Sequence, residues 1–248
     1  MLDLNLENIR WEFKKLLIFP IPEIVIASMI FNGTLVLPSI IVLSEGVHLH
    51  VYSFVKNILH SIILYTFMVQ GVTIGVMAAT IFAYEREAGI LDTELVYSRS
   101  RTELFVGKFI ALFLVGIMYF FTVVLMLIVY NLRGSWLIES VSSLISLCLP
   151  MLVQILFIIS LNIFISTISD KIVISILSSA LTFYSLDNLL KYSNPQPGSF
   201  LYNIPPISTS AFLHVATEAA GNLIVAFIIS LGFLLVAYLY FSRFYEVK

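Results

Sequence analysis

The sequence predicts an all-α integral membrane protein with six transmembrane helices. Three observations lead there. Only 11% of the 248 residues are charged and 60% are hydrophobic, with a mean hydropathy of +1.02; soluble domains carry about 25% charged residues. The apolar residues fall into six runs, each close to the ~20 residues that a membrane-crossing helix needs. The remaining charge is concentrated: nine of the 28 charged residues (13 basic, 15 acidic) lie between Ala83 and Lys108. Hydrocarbon cannot hold that island, so it lies in water between two spans.

The elements follow in order. Over residues 4–19, Leu6, Ile9, Phe13, Leu16 and Leu17 share one helical face, and Glu7, Arg10, Lys14 and Lys15 fall on the other. This is the pattern of a helix lying in the membrane interface, with Trp11 near headgroup depth. Pro20 and Pro22 end it. Spans are expected over about 23–43, 54–82, 104–130, 141–167, 172–190 and 219–241. The first carries Asn32 and Pro38. The second carries Gln70, Gly71, Thr73, Gly75, Ala78 and Ala79, with small residues at a four-residue spacing that lets helices approach. The fourth holds Pro150, Gln154 and Asn162. Ser169-Asp170-Lys171 reads as a tight turn, and the loop over 191–218, rich in proline, has room for one short helix near 207–216. The whole chain, 1–248, is a single transmembrane domain. No clean apolar core precedes a small-residue cleavage site, so no cleavable signal peptide is expected.

Six spans place both termini on one side. Arg10, Lys14, Lys15, Arg86, Arg99, Arg101, Lys108, Lys171, Arg243 and Lys248 share that side; only Lys56, Arg133 and Lys191 lie on the other. The positive-inside rule makes the termini and the island cytoplasmic, in a multi-pass protein of the cell membrane.

Several chemistries are missing. A phosphate-binding Gly-x-x-x-x-Gly-Lys-Ser/Thr loop is absent: Phe109 follows Gly107-Lys108, and Thr102 stands where the first glycine belongs. No zinc-protease or serine-hydrolase motif occurs. His48, His50, His60 and His214 all map to the outer side; His48 and His50 could bind a metal weakly but, with no third ligand, read as solvated loop histidines. The lone Cys148 excludes an intrachain disulfide and reads as a small buried apolar residue. A net charge of −2 gives no reason to expect a nucleic-acid partner. Proton-coupled carriers need ionisable groups within their spans; here Glu23 and Asp187 sit near span ends, where both can reach water. Five polar residues at membrane depth, Asn32, Gln70, Thr73, Gln154 and Asn162, either line a conduit or bond neighbouring helices.

The island carries a family likeness. Glu85-Arg86-Glu87-x-Gly89-x-Leu91-Asp92, then Ser100-Arg101-Thr102-Glu103-x-x-x-Gly107-Lys108, resembles the signature of the ABC type-2 permeases, the membrane subunits of ATP-binding-cassette exporters. Ile90, Glu94 and Ser98 depart from the usual threonine, leucine and proline. The resemblance implies that the island forms a cytoplasmic coupling helix docking on a separate ATPase subunit through Glu85, Arg86, Glu87, Gly89, Leu91, Asp92, Leu95, Arg101 and Glu103. Ala88, Leu91, Leu95 and Ser98 share a helical face suited to that contact. It further implies a second permease copy or a related chain, no cofactor in this chain, Mg-ATP in the partner, and export of an amphipathic, lipid-like, peptide or drug-like substrate. Lys108 reads as a lysine snorkelling at a span end. An ATP-independent channel or secondary carrier, a membrane-embedded enzyme, and a non-transporting anchor for an ATPase are the competing classes.

Overall fold

The structure, a computed structural model, describes residues 6–16, 23, 26–28, 30, 51–91, 94, 100–131, 137–193, 199–214 and 216–244. Among these, every regular element is helical. Helix α1 spans Leu6–Leu16 and α2 spans Val51–Ala78. A wider π-helical segment, Ala79–Tyr84, continues α2 into the short α3, Glu85–Glu87. Then come α4, Arg101–Asn131, α5, Leu137–Ile168, and α6, Ile172–Tyr192. A 3-10 turn at Phe200–Asn203 leads to α7, Ile207–His214, and α8, Ala216–Phe244.

Five helical segments among the described residues are long and apolar enough to cross a membrane: Thr66–Glu87, Arg101–Tyr119, Cys148–Ile168, Ile172–Leu190 and Ala220–Arg243. The first expected span, 23–43, lies almost wholly outside the described residues, as does Asn32.

Helix α5 is the centre of the bundle, touching α2, α4, α6, α7 and α8. Small residues bring the backbones together. A methyl group on Gly75 would stand 2.7 Å from Ser179 Cβ, and one on Gly116 would stand 2.6 Å from Ile155 Cγ2. Across the α2–α5 contact, Asn162 Nδ2 donates to the Gly71 carbonyl at 2.9 Å. Helix α6 turns one stripe inward, Ser175, Ser179, Phe183 and Asp187, at four-residue spacing, and leaves Val173, Leu177 and Leu181 exposed. That stripe explains a correction. Asp187, expected to reach water, is buried because it lies one turn beyond Phe183 on the inward face. Cys148 is corrected in the opposite direction: it is exposed on α5.

Candidate functional site

At one end of the bundle α1, the end of α2, α3, the start of α4, the α5–α6 turn and the end of α8 meet. Their side chains explain why. Lys108 projects from the second turn of α4 and is fully buried, as are Glu12 on α1 and Glu85 on α3. Glu94, from the segment after α3, and Lys15, one turn after Glu12, complete a five-charge cage. Lys15 Nζ binds Glu12 Oε1 at 3.1 Å, Glu85 Oε1 at 2.9 Å, and Glu94 Oε1. Lys108 Nζ binds Glu12 Oε2 at 3.3 Å, Glu94 Oε2 at 3.3 Å, and Glu85 Oε2. Each carboxylate therefore bridges both ammonium groups with one oxygen apiece. Since an ammonium has three N–H donors, the two lysines match all the oxygens of the three carboxylates.

Two cations against three carboxylates leave the cage one negative charge when all are ionised. For Lys15, burial favours the neutral amine. Glu12 and Glu85 beside it, with its bonds to Glu94 and Glu85, more than offset that and hold it above its ordinary value. For Glu94, burial pushes upward, and Lys108 and Lys15 outweigh it, holding this carboxyl below its ordinary value. An aromatic wall, Phe82, Phe105, Tyr238 and Phe241, with centroids 5.5–6.1 Å apart, stands beside the cage. Lys108 Nζ lies 6.0 Å from the Phe82 ring centre.

The three residues of α3 point to three different places. Glu85 enters the cage. Arg86 Nη2 donates to the Thr167 carbonyl in the last turn of α5, and Nη1 pairs with Asp170 at 2.9 Å. Glu87 Oε2 accepts from the Ile172 amide at 3.0 Å, the first amide of α6. Both contacts place charge where a helix terminus favours it: a cation on the carbonyl end of α5, an anion on the amide end of α6. The chain then turns at Gly89, whose φ of +70° is left-handed and natural for glycine. Glu87, Ala88, Gly89 and Ile90 are exposed, whereas the Leu91 side chain is fully buried.

The second half of the signature is equally internal. Ser100 Oγ accepts from the Glu103 amide at 3.1 Å, an N-cap that starts α4. Arg101 Nη1 donates to the Ser242 carbonyl at 2.7 Å, joining the start of α4 to the end of α8. Thus Glu85, Arg86, Leu91 and Arg101 hold this chain's own helices, Glu87 both caps α6 and is exposed, and Gly89 and Ile90 complete the outward tip. Asp92, Leu95 and Ser98 lie outside the described residues.

Of the polar residues at membrane depth, Gln70, Thr73, Gln154 and Asn162 are all buried. Asn162 bonds α2, as above, and Thr73 Oγ1 donates to its own helix at Val69 O, 2.8 Å away. Both amide atoms of Gln154 lack a hydrogen-bond partner, as do Gln70 Oε1 and Asn162 Oδ1.

Two sequence expectations are corrected at this site. Lys15 does not sit on the solvated face of α1, and Lys108 does not snorkel; both turn inward to the carboxylates. Glu12 escaped the reading of the sequence. Its signal was there: it lies one turn before buried Leu16, an acidic residue on the apolar side of an amphipathic helix. Among the described residues no group of three or more His, Cys, Asp or Glu side chains is arranged to hold a metal ion.

A family profile described as "ABC-2 family transporter protein" matches residues 8–186. No curated protein matches the sequence.

Proposed function

The chain belongs to the ABC-2 transporter family and is thereby a multi-pass membrane permease subunit of an ABC transporter; from that premise we propose that the exposed tip Glu87–Ile90 is where its ATPase partner docks, and that Glu85, Arg86 and Glu87 carry the motor's displacement to separate helices. The observation that carries this reading is the division of labour in α3. A shift of the tip pulls on Glu85, and with it α1 and α4 through the cage. The same shift pulls on Arg86, at the end of α5, and on Glu87, at the start of α6. Leu91 anchors the segment from inside, and the sequence signature adds Asp92 and Leu95 to the docking residues. Arg101 and Glu103 hold the start of α4.

The complex pairs this chain with a second copy or a related permease. Two ATPase subunits bind the tips from the cytoplasm, where both termini also lie, and ATP with its magnesium is held by those subunits. Displacement biases the spans between two arrangements according to the motor's differential affinity for them. An amphipathic, lipid-like, peptide or drug-like substrate leaves through the cell membrane. Gln70, Thr73, Gln154 and Asn162, with Asn32, are the conduit candidates. The unpartnered amide of Gln154 favours this, because a buried amide without a hydrogen bond costs about 1–3 kcal/mol and a passing polar group supplies what is missing.

Ile90→Arg tests the docking. Ile90 is 40% exposed, so the substitution leaves the bundle intact. Leu91→Arg is unsuitable, since it places a charge in the core. Ile90→Arg should abolish co-purification with the ATPase subunit while the permease remains monodisperse. Undiminished co-purification with full ATP turnover contradicts docking at the tip.

A further inference from the structure

Helices α4, α5 and α8 enclose an apolar groove of about 580 Å³. Phe109 and Phe113 on α4 form one wall, their rings stacked 5.9 Å apart at 23°. Buried Val153 on α5 and Leu223 on α8 form the floor. The rim is open: Leu149 and Ile224 are 62% and 60% exposed. No residue lining the groove carries a polar side chain.

We propose that this groove holds the hydrocarbon chain of a membrane lipid. All three of its helices contribute membrane-crossing segments, so hydrocarbon is the medium at its rim and a soluble partner does not reach it. Inside a bilayer there is no hydrophobic driving force to seat one apolar group in preference to another; contact decides. An empty groove forfeits the dispersion contacts of its lining, and a seated chain touches three helices where a chain on a convex face touches one. A helix from a second copy fits poorly. At a diameter of about 10–12 Å and a pitch of 5.4 Å, roughly one helical turn already fills the groove's volume. Pro150 lies on α5 between rim residue Leu149 and lining residue Leu152. Its nitrogen has no hydrogen to donate to the carbonyl four residues earlier, so α5 lacks one backbone hydrogen bond beside the groove. The site is independent of the docking tip, because neither α3 nor the cage contributes to it.

The test uses the full chain in vesicles of phosphatidylcholine and phosphatidylglycerol containing a phospholipid with a mid-chain diazirine. After photolysis, labelled residues are mapped by mass spectrometry. Leu152, Val153 and Phe113 should be labelled about tenfold more than Leu177 and Leu181, exposed on the convex outward face of α6, which does not line the groove. That is the ratio expected from ten or so additional carbon–carbon contacts. Val153→Trp fills the floor and should return groove labelling to the convex-face level. If Val153→Trp does not fold, Ile224→Trp, at the exposed rim, blocks entry and should do the same. Equal labelling of groove and convex face overturns the proposal. So does undiminished groove labelling in a folded tryptophan variant, or protection of the groove together with a disulfide between two copies, formed on oxidation of the Cys148→Ser, Leu149→Cys variant.

Discussion

Replacing Lys108 by methionine keeps the length of the side chain and deletes its charge. Three carboxylate oxygens then lose their donor, and Glu12, Glu85 and Glu94 share the single cation Lys15. Solvent cannot relieve them: the Lys108 side chain is 0% exposed, and those of Glu12 and Glu85 are 2% and 6% exposed. Removing one partner from a buried ionic network costs about 3–5 kcal/mol. The strained groups sit between α1 and the spans, so the cost appears as opening of α1. At about 1.4 kcal/mol per factor of ten, amide hydrogen exchange over Leu6–Leu16 should speed up by roughly 100- to 4,000-fold in the purified full chain. Exchange across Met151–Ile163, in the buried centre of α5, should stay unchanged. The five-residue neutral variant (Glu12→Gln, Lys15→Met, Glu85→Gln, Glu94→Gln, Lys108→Met) supplies the sign. With no uncompensated charge left, it should protect α1 better than Lys108→Met alone. Exchange in Lys108→Met within about threefold of wild type, equivalent to ~0.6 kcal/mol, refutes the reasoning. A neutral variant more open than the single one refutes it as well.

Other outcomes follow from the same geometry. Gly75→Ala places a methyl 2.7 Å from Ser179 Cβ and 2.9 Å from Asn162 Oδ1 and should cost about 1–3 kcal/mol of thermal stability in detergent, whereas Gly221→Ala, with nothing within 4 Å, should be neutral or slightly stabilising. Gly89→Ala meets no atom but must adopt a φ of +70°, at a cost of about 1–2 kcal/mol; ATP turnover should fall because the tip is displaced, and Gly89→Asn should recover much of it. Glu94 binds its proton more weakly when folded than when unfolded. Its contribution is therefore complete above its ordinary value of 4.5 and is lost as pH falls through its lower folded value, so α1 exchange should rise on acidification below about pH 4.5 in wild type and less in Glu94→Gln. Lys15, held above its ordinary value of 10.5, contributes fully below that value and gives no step at neutral pH.

The long elements were legible because hydrophobic runs and helix length are set by the same hydrocarbon thickness. The fifth span, expected over about 172–190, is Ile172–Tyr192, and the short helix expected near 207–216 is Ile207–His214. What stayed hidden was direction. Periodicity on α1 sorted residues by polarity and placed Lys15 outward, but the face that packs on α4 is chosen by Glu12 and Lys108, 96 positions apart. No local pattern contains that pairing. Leu91 was legible as part of an apolar face, and only the tertiary packing shows that this chain covers it. Glu94 stood out as a departure at a usual leucine, and its reason is a pair of lysines on two other elements.

The 96 positions that separate Glu12 from Lys108 also set an order of events during synthesis. At about 5–20 residues per second, Glu12 and Lys15 emerge on the order of 5–20 s before Lys108 does. Through that interval α1 has no buried counter-charge on α4, and Glu12 and Lys15 remain hydrated at the membrane surface. The helix seats when α4 arrives. A nascent chain arrested before Lys108 should therefore carry a loose N-terminal helix, open to proteases until the cage closes.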